Sequence, residues 1–245
     1  MKYYFRYCLL ILMIFAATNT YGQINRTNFS IQLGYQYNIL NPRPYNLALD
    51  IFNTNRADVS QAFDEVKYTG GYTGGFAIHR RRSDIRLQFM TFQNRGDARF
   101  TDATNGAQVA DTKLSGQIFG IQLISKLIPL GRRGDFMIGA GLNATHLESK
   151  AELFDAANFV EDGDLVQRTN DWSAGFMIIA PFRFEITEQI LVSLEPYFQV
   201  YFSTTDFTPF SESINTGATA TDPLLIRQID HPGLNATLIF KLRRP

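Results

Sequence analysis

Phe29-Ser-Ile-Gln-Leu-Gly-Tyr-Gln-Tyr-Asn38 is the stretch on which the fold turns. Phe29, Ile31, Leu33, Tyr35 and Tyr37 alternate with Ser30, Gln32, Gly34, Gln36 and Asn38. Successive side chains of an extended chain leave opposite faces. Unbroken alternation of this kind therefore specifies a strand with one apolar and one polar side.

Seven further segments repeat the pattern: 72–80, 85–94, 117–127, 136–147, 172–186, 190–202 and 234–242. In the third, Ile85, Leu87 and Phe89 oppose Arg86 and Gln88. In the fourth, Phe119, Ile121 and Leu123 oppose Gly120, Gln122 and Lys126. The connections alternate as well. Those at 81–84, 128–135 and 187–189 are short, and those at 39–71, 95–116, 148–171 and 203–233 are long. In an up-and-down meander all the short turns then lie at one end and all the long loops at the other.

That combination has a physical cause. In hydrocarbon every backbone N–H and C=O needs a partner within the protein, so strands can span only as a closed ring with an apolar outside. Spanning strands need about 9–11 residues, and eight of them enclose an interior that side chains can fill. The expected fold is all-β: an eight-stranded antiparallel up-and-down transmembrane β-barrel with short periplasmic turns and long extracellular loops. Tyr35, Tyr37, Tyr72 and Trp172 fall near the loop-side rim, and Phe136, Phe182, Phe184 and Phe240 near the turn-side rim, as two aromatic girdles. A soluble barrel of lipocalin type is the alternative, with the two faces exchanged.

Composition agrees. Lys+Arg and Asp+Glu are both 23, so nothing suggests a nucleic-acid partner, and 13% aromatic residues exclude a disordered chain. The only cysteine, Cys8, rules out a disulfide framework. Lys2 and Arg6, the apolar run from Cys8 to Ala17, and Thr20-Tyr21-Gly22 have the layout of a secretory signal over 1–22. The barrel domain is then 23–245, and Sec export to the outer membrane is the expected route. The longest later apolar run, Phe176 to Phe182, is far short of a spanning helix.

With this pattern the chain resembles the small outer-membrane β-barrel family of Gram-negative bacteria, typified by the OmpA transmembrane domain, OmpX and OmpW. It is similar also to the long-looped barrel proteins of Bacteroidota. The segment Gly233-Leu-Asn-Ala-Thr-Leu-Ile-Phe240 is similar to that family's closing strand with its terminal aromatic, although Lys241-Leu-Arg-Arg-Pro245 follows it. The resemblance implies a monomeric barrel with outer-membrane lipid and lipopolysaccharide as surroundings. It also implies a structural, adhesive or accessory role, with an envelope protein as a partner for the loops.

Two groups of inward residues stand out. Arg86, Lys126, Arg183, Glu185, Glu195 and Lys241 lie in the turn-side half and are expected to form one ion-pair network. A structural plug is expected there rather than an ion gate, because eight strands leave little bore. Met90, Phe92, Ile118, Met177, Ile179, Tyr197 and Tyr201 lie in the loop-side half. They would either pack together or form a pocket for a small hydrophobic molecule, which would make the protein a carrier. Some barrels of this kind modify lipid A, but His79, His146 and His231 match no such motif. No catalytic residue, metal or cofactor is expected. Loop one is expected to hold a short helix over Tyr45 to Asn53. The acidic segment 161–164 and the basic clusters Arg80–Arg82, Arg132–Arg133 and Arg243–Arg244 are read as solvated or headgroup-facing.

Overall fold

The computed structural model describes residues 28–39, 42–56, 58–80, 82–157, 165–215, 226–227 and 230–242. The signal segment 1–22, the acidic segment 161–164, Arg81, Arg243 and Arg244 lie outside the described residues. Eight strand positions close into one antiparallel ring. In chain order the ring strands are β1 (Asn28–Asn38), β3 (Thr69–His79), β4 (Ser83–Asp102), β5 (Gly106–Pro129), β6 (Gly134–Asp155), β7 (Gln167–Ile179) with β8 (Phe182–Glu185), β9 (Ile190–Tyr201) and β12 (His231–Leu242). β7 and β8 share one position between β6 and β9. They are separated at Ala180–Pro181, where proline has no N–H to give the ladder. Met137 N–H still donates to the Pro181 carbonyl, so pairing continues across the break. β12 pairs with β1 from Phe29–Leu242 to Asn38–Gly233, which closes the ring and leaves it no edge.

The eight expected segments all form strands, the sixth divided between β7 and β8, and apart from Lys126 at the end of β5 they face as the alternation requires. On β1, Ser30, Gln32, Gln36 and Asn38 are buried while Phe29, Leu33, Tyr35 and Tyr37 are exposed. Two long connections differ from the expectation. Residues 95–102 and 106–116 are a continuous hairpin, with Asp102 opposite Gly106 and Arg95 opposite Lys113. β6 runs alongside it as far as Asp155. The reason is local. Asn105-Gly106 is a tight-turn pair, Gly106 sits at φ +77°, and Asp102 Oδ1 accepts the N–H groups of Thr104 and Asn105, each at 2.9 Å. The backbone hydrogen bonds of this stretch are met by pairing, so it has no need to be a loop.

The sheet that rises beyond the ring is lined by a small core. α1 (Arg43–Asn55) begins with Pro44 in its first turn and buries Tyr45, Ala48, Leu49 and Phe52, the i, i+3, i+4, i+7 stripe of an amphipathic helix. Phe63 and Val66 pack beside it after the short β2 (Val59–Gln61), which pairs with β4. Asn46 and Asn53, two turns apart, each grip the 63–66 segment as a strand would. Asn46 Nδ2 donates to the Val66 carbonyl at 3.0 Å and Oδ1 accepts Val66 N–H at 2.9 Å, while Asn53 does the same to Phe63. After β10 (Thr205–Asp206), α2 (Thr208–Ile214) adds Phe210 and Ile214, and Asn215 Nδ2 ties it to the Ala48 carbonyl at 3.2 Å. β11 (Ile226–Arg227) pairs with β10. Burial pushes the Tyr45 hydroxyl above the ordinary tyrosine range, so the phenol stays neutral in this cap.

Candidate functional site

The interior divides at mid-height. Its turn-side half holds the buried charges, while its loop-side half mixes apolar side chains with buried Gln36, Asn38, Thr145 and Gln199. Both follow from which residues the period-two repeat points inward.

In the turn-side half, Arg86 Nη1 and Nη2 donate to Glu195 Oε2 and Oε1 at 2.6 and 2.9 Å, and both side chains are 0% exposed. β4 and β9 lie four positions apart in a ring of eight, so this bidentate pair crosses the full bore. Thr237 Oγ1 reaches Glu195 Oε1 at 3.5 Å. A second bar joins Arg183 on β8 to Asp84 on β4. Asp84 also accepts from His79 Nδ1 at 2.9 Å, and His79 Nε2 meets Ser30 Oγ at 2.7 Å. A carboxylate only accepts, so Nδ1 carries a proton toward Asp84. Around the bars, Gln122 donates to Gln88 and Gln88 donates to Thr73 at 3.0 Å, and nearer the loops Gln199 donates to Thr145 at 3.1 Å.

The six charged residues expected to form one network are thus distributed differently. Arg86 and Glu195 form one buried bar, and Arg183 belongs to another with Asp84. Glu185 and Lys241 pair with each other at 3.3 Å near the turn-side mouth, where both are partly exposed. Lys126 stands apart and pairs with Asp135 of the neighbouring strand at the outer margin. The ladder shifts register between Lys126 and Ile128, and Leu127 and Ile128 are already exposed, so β5 has left the interior at that point. The sequence reading missed Asp84, His79 and Ser30 as partners. Asp84 was assigned to a turn, although its place two residues before Arg86 on the polar face was the available signal.

Ser30, His79 and Asp84 have the chemical order of a nucleophile, base and orienting acid. The geometry does not open it to a substrate. Ser30 is 1% exposed, and its strand is hydrogen-bonded on both sides, to β3 and β12, leaving no pair of free backbone N–H groups to hold an oxyanion.

In the loop-side half, Met90, Phe92, Ile118, Met177, Ile179 and Tyr197 are buried in one packed cluster, and the Tyr197 hydroxyl donates to Asn38. That cluster continues upward into Tyr45, Phe52, Phe207 and Phe210 of the cap. Tyr201 is buried beside them, with its ring 5.9 Å from that of His231. The aromatic helix face that fills this mouth comes from loop one, and the spacing of Tyr45, Ala48, Leu49 and Phe52 was its signal in the sequence. His146 lies on the outside, stacked on Trp172 at 4.8 Å.

The outer surface is the reverse of the interior. Tyr72 is 75% exposed and Phe76 63%, and Leu33, Leu87, Phe119, Ile121, Ile178, Leu194, Phe198 and Leu238 are also exposed in a continuous girdle.

No protein-family model matches the chain, and no curated protein matches it. Among solved structures it is similar to Neisserial surface protein A, at 10% identity and a TM-score of 0.48 over 89% of this chain and all of that one. It is similar also to Ail, the attachment invasion locus protein of Yersinia pestis, in complex with the heparin analogue sucrose octasulfate. There the identity is 8% and the TM-score 0.45, over 89% of this chain and 99% of that one. The outer membrane protein OprG of Pseudomonas aeruginosa is matched at 12% identity and 0.41, over 89% and 96%. These are likenesses of shape at low identity.

Proposed function

We propose that this chain is an integral outer-membrane barrel, closed to ions, whose capped outer end serves a structural, adhesive or envelope-accessory role. One observation carries the reading: an exposed girdle of aromatic and aliphatic side chains surrounds an interior of buried Gln, Asn, Thr, Arg and Glu. Water as the surrounding solvent would drive the opposite arrangement. The dimensions fit hydrocarbon. From Phe29 to Tyr37 on β1 is eight steps, about 27 Å along the strand, or about 21 Å along the barrel axis at the usual tilt of ~40°, close to the ~25 Å apolar band of such barrels.

The two ionic bars and the packed cluster beneath α1 and α2 support a plugged interior, and the burial of Ser30 supports a non-enzymatic role. The test is incorporation into lipid vesicles followed by flotation and single-channel recording. The protein should float with the vesicles and pass no stepwise current. A chain that stays dissolved without amphiphile overturns the membrane assignment, and open-channel steps in the wild type overturn the plug.

A further inference from the structure

Of all the asparagines in the chain, only Asn105 is followed by glycine. A side chain on the following residue crowds that residue's backbone nitrogen, and glycine leaves it open. The pair stands at the tip of the β4–β5 hairpin, where residues 103–107 are all exposed. Gly106 sits at φ +77°, and beyond its chain neighbours no heavy atom lies within 4 Å of the point a Cβ would occupy. The backbone of Asn105 is held in place: its N–H donates to Asp102 Oδ1 at 2.9 Å, and its carbonyl accepts from Gln108 Nε2 at 3.4 Å. Its side-chain amide makes no hydrogen bond to any described residue. Elsewhere such amides are engaged. Asn46 and Asn53 grip the 63–66 segment, Asn38 Nδ2 donates to Thr69 Oγ1 at 3.3 Å, and Asn235 Nδ2 reaches Met90 Sδ at 3.7 Å.

We propose that Asn105-Gly106 is a self-modification site, at which the side-chain amide of Asn105 is lost through a succinimide. The Gly106 backbone nitrogen gives its proton to water and attacks Asn105 Cγ. The new N–Cγ bond forms, the bond from Cγ to the side-chain nitrogen breaks, and that nitrogen takes up a proton and leaves as ammonia. Water then opens the ring. Breaking the new N–Cγ bond gives aspartate, and breaking the original backbone C–N bond gives isoaspartate, with the chain rerouted through Cγ. Gln108 draws electron density from the Asn105 carbonyl, so the nitrogen of the same peptide unit loses its proton more readily. Either product sets a second carboxylate beside Asp102. Isoaspartate also lengthens the backbone at the tip, which loosens the hold of Asp102 on the N–H groups of residues 104 and 105. The conversion runs one way and needs no partner, so the charge of the tip records the age of the molecule. On the proposed reading the tip belongs to the capped outer end, where an adhesive contact would sense that change. The chemistry stands whether or not that reading does.

The test is timed incubation of the full-length folded protein in detergent at neutral pH. A synthetic peptide of residues 100–113, the stretch between the tryptic cuts after Arg99 and Lys113, serves as the clock in the same buffer. Samples are digested and read by mass spectrometry for exchange of –NH2 by –OH at residue 105, and by an isoaspartate-specific methyltransferase for the rerouted product. The protein should convert about tenfold more slowly than the peptide, the share of opened tip left by one or two net hydrogen bonds. Both aspartate and isoaspartate should form at 105, and Asn46, Asn53 and Asn235 should keep their amides over the same period. Asn105→Gln should abolish the methyltransferase signal from this peptide, because the larger ring it would need closes far less readily. Asn105 still intact after that interval overturns the site. Aspartate formed without isoaspartate overturns the succinimide route, and conversion spread evenly over the other asparagines overturns the assignment to this turn.

Discussion

Leu87→Arg is the substitution that bears hardest on the solvent assignment. Leu87 is 57% exposed on the outward face of β4, flanked in register by Phe76 and Ile121. In water, exchanging so open a leucine for arginine should change stability by no more than about 0.5 kcal/mol. In a bilayer the position is near the midplane, and the same change should cost about 2–4 kcal/mol. With a urea slope of about 2 kcal/mol per molar, that is a fall of ~1–2 M in the unfolding midpoint. Gln93 supplies the control on the same strand and face. It lies six residues further on, about 20 Å along the strand and ~16 Å along the bilayer normal at a ~40° tilt. Arginine there sits among headgroups and should cost about 0–1 kcal/mol. The assay is reversible urea unfolding of wild type and both variants in phosphatidylcholine vesicles, followed by Trp172 emission. Equal midpoints for Leu87→Arg and Gln93→Arg would refute the claim that the girdle faces hydrocarbon.

Other expectations follow from the interior and the cap. Arg86→Met should destabilise the protein by about 3–5 kcal/mol by stranding Glu195, and the double change Arg86→Met with Glu195→Leu should regain most of that loss in the same unfolding assay. Asn46→Ala together with Asn53→Ala should release the 63–66 segment, seen as protease cleavage between α1 and β3, with the unfolding midpoint of the ring little changed. Ser30 should resist a fluorophosphonate probe, and labelling lost in Ser30→Ala would revive a hydrolase. The Asp102 carboxyl is held below the ordinary carboxylate range, first by Asn105 N–H and then by Thr104 N–H. A depressed acid stabilises above its unfolded value and loses that support as pH falls through the lowered one. Amide exchange at Thr104 and Asn105 should therefore quicken under strongly acid conditions, and that acid-induced step should be absent in Asp102→Asn, whose amide takes up no proton.

The ring was legible in the sequence because a period of two leaves no choice of face once one side is apolar. Ser30 through Asn38 and Gly233 through Phe240 have their faces set by that alternation alone. The extension of β4 and β5 was less so. Alternation weakens between Arg95 and Gly116, where Val109, Ala110, Asp111 and Thr112 are buried in succession, and only Asn105-Gly106 announced a hairpin. The inward charges were visible one by one, but their pairing was not. That Arg86 meets Glu195 and Arg183 meets Asp84 depends on which strands lie opposite one another in a closed ring, a property of topology rather than of any local pattern.

Closure of β12 onto β1 has a consequence for biogenesis. The first and last strands must find each other before either can rest in oil, so no partial arc of this sheet is a stable resident of the bilayer. A sheet inserted strand by strand would carry two raw edges until β12 met β1. In hydrocarbon, entry of the ring and its closure are therefore one coupled event.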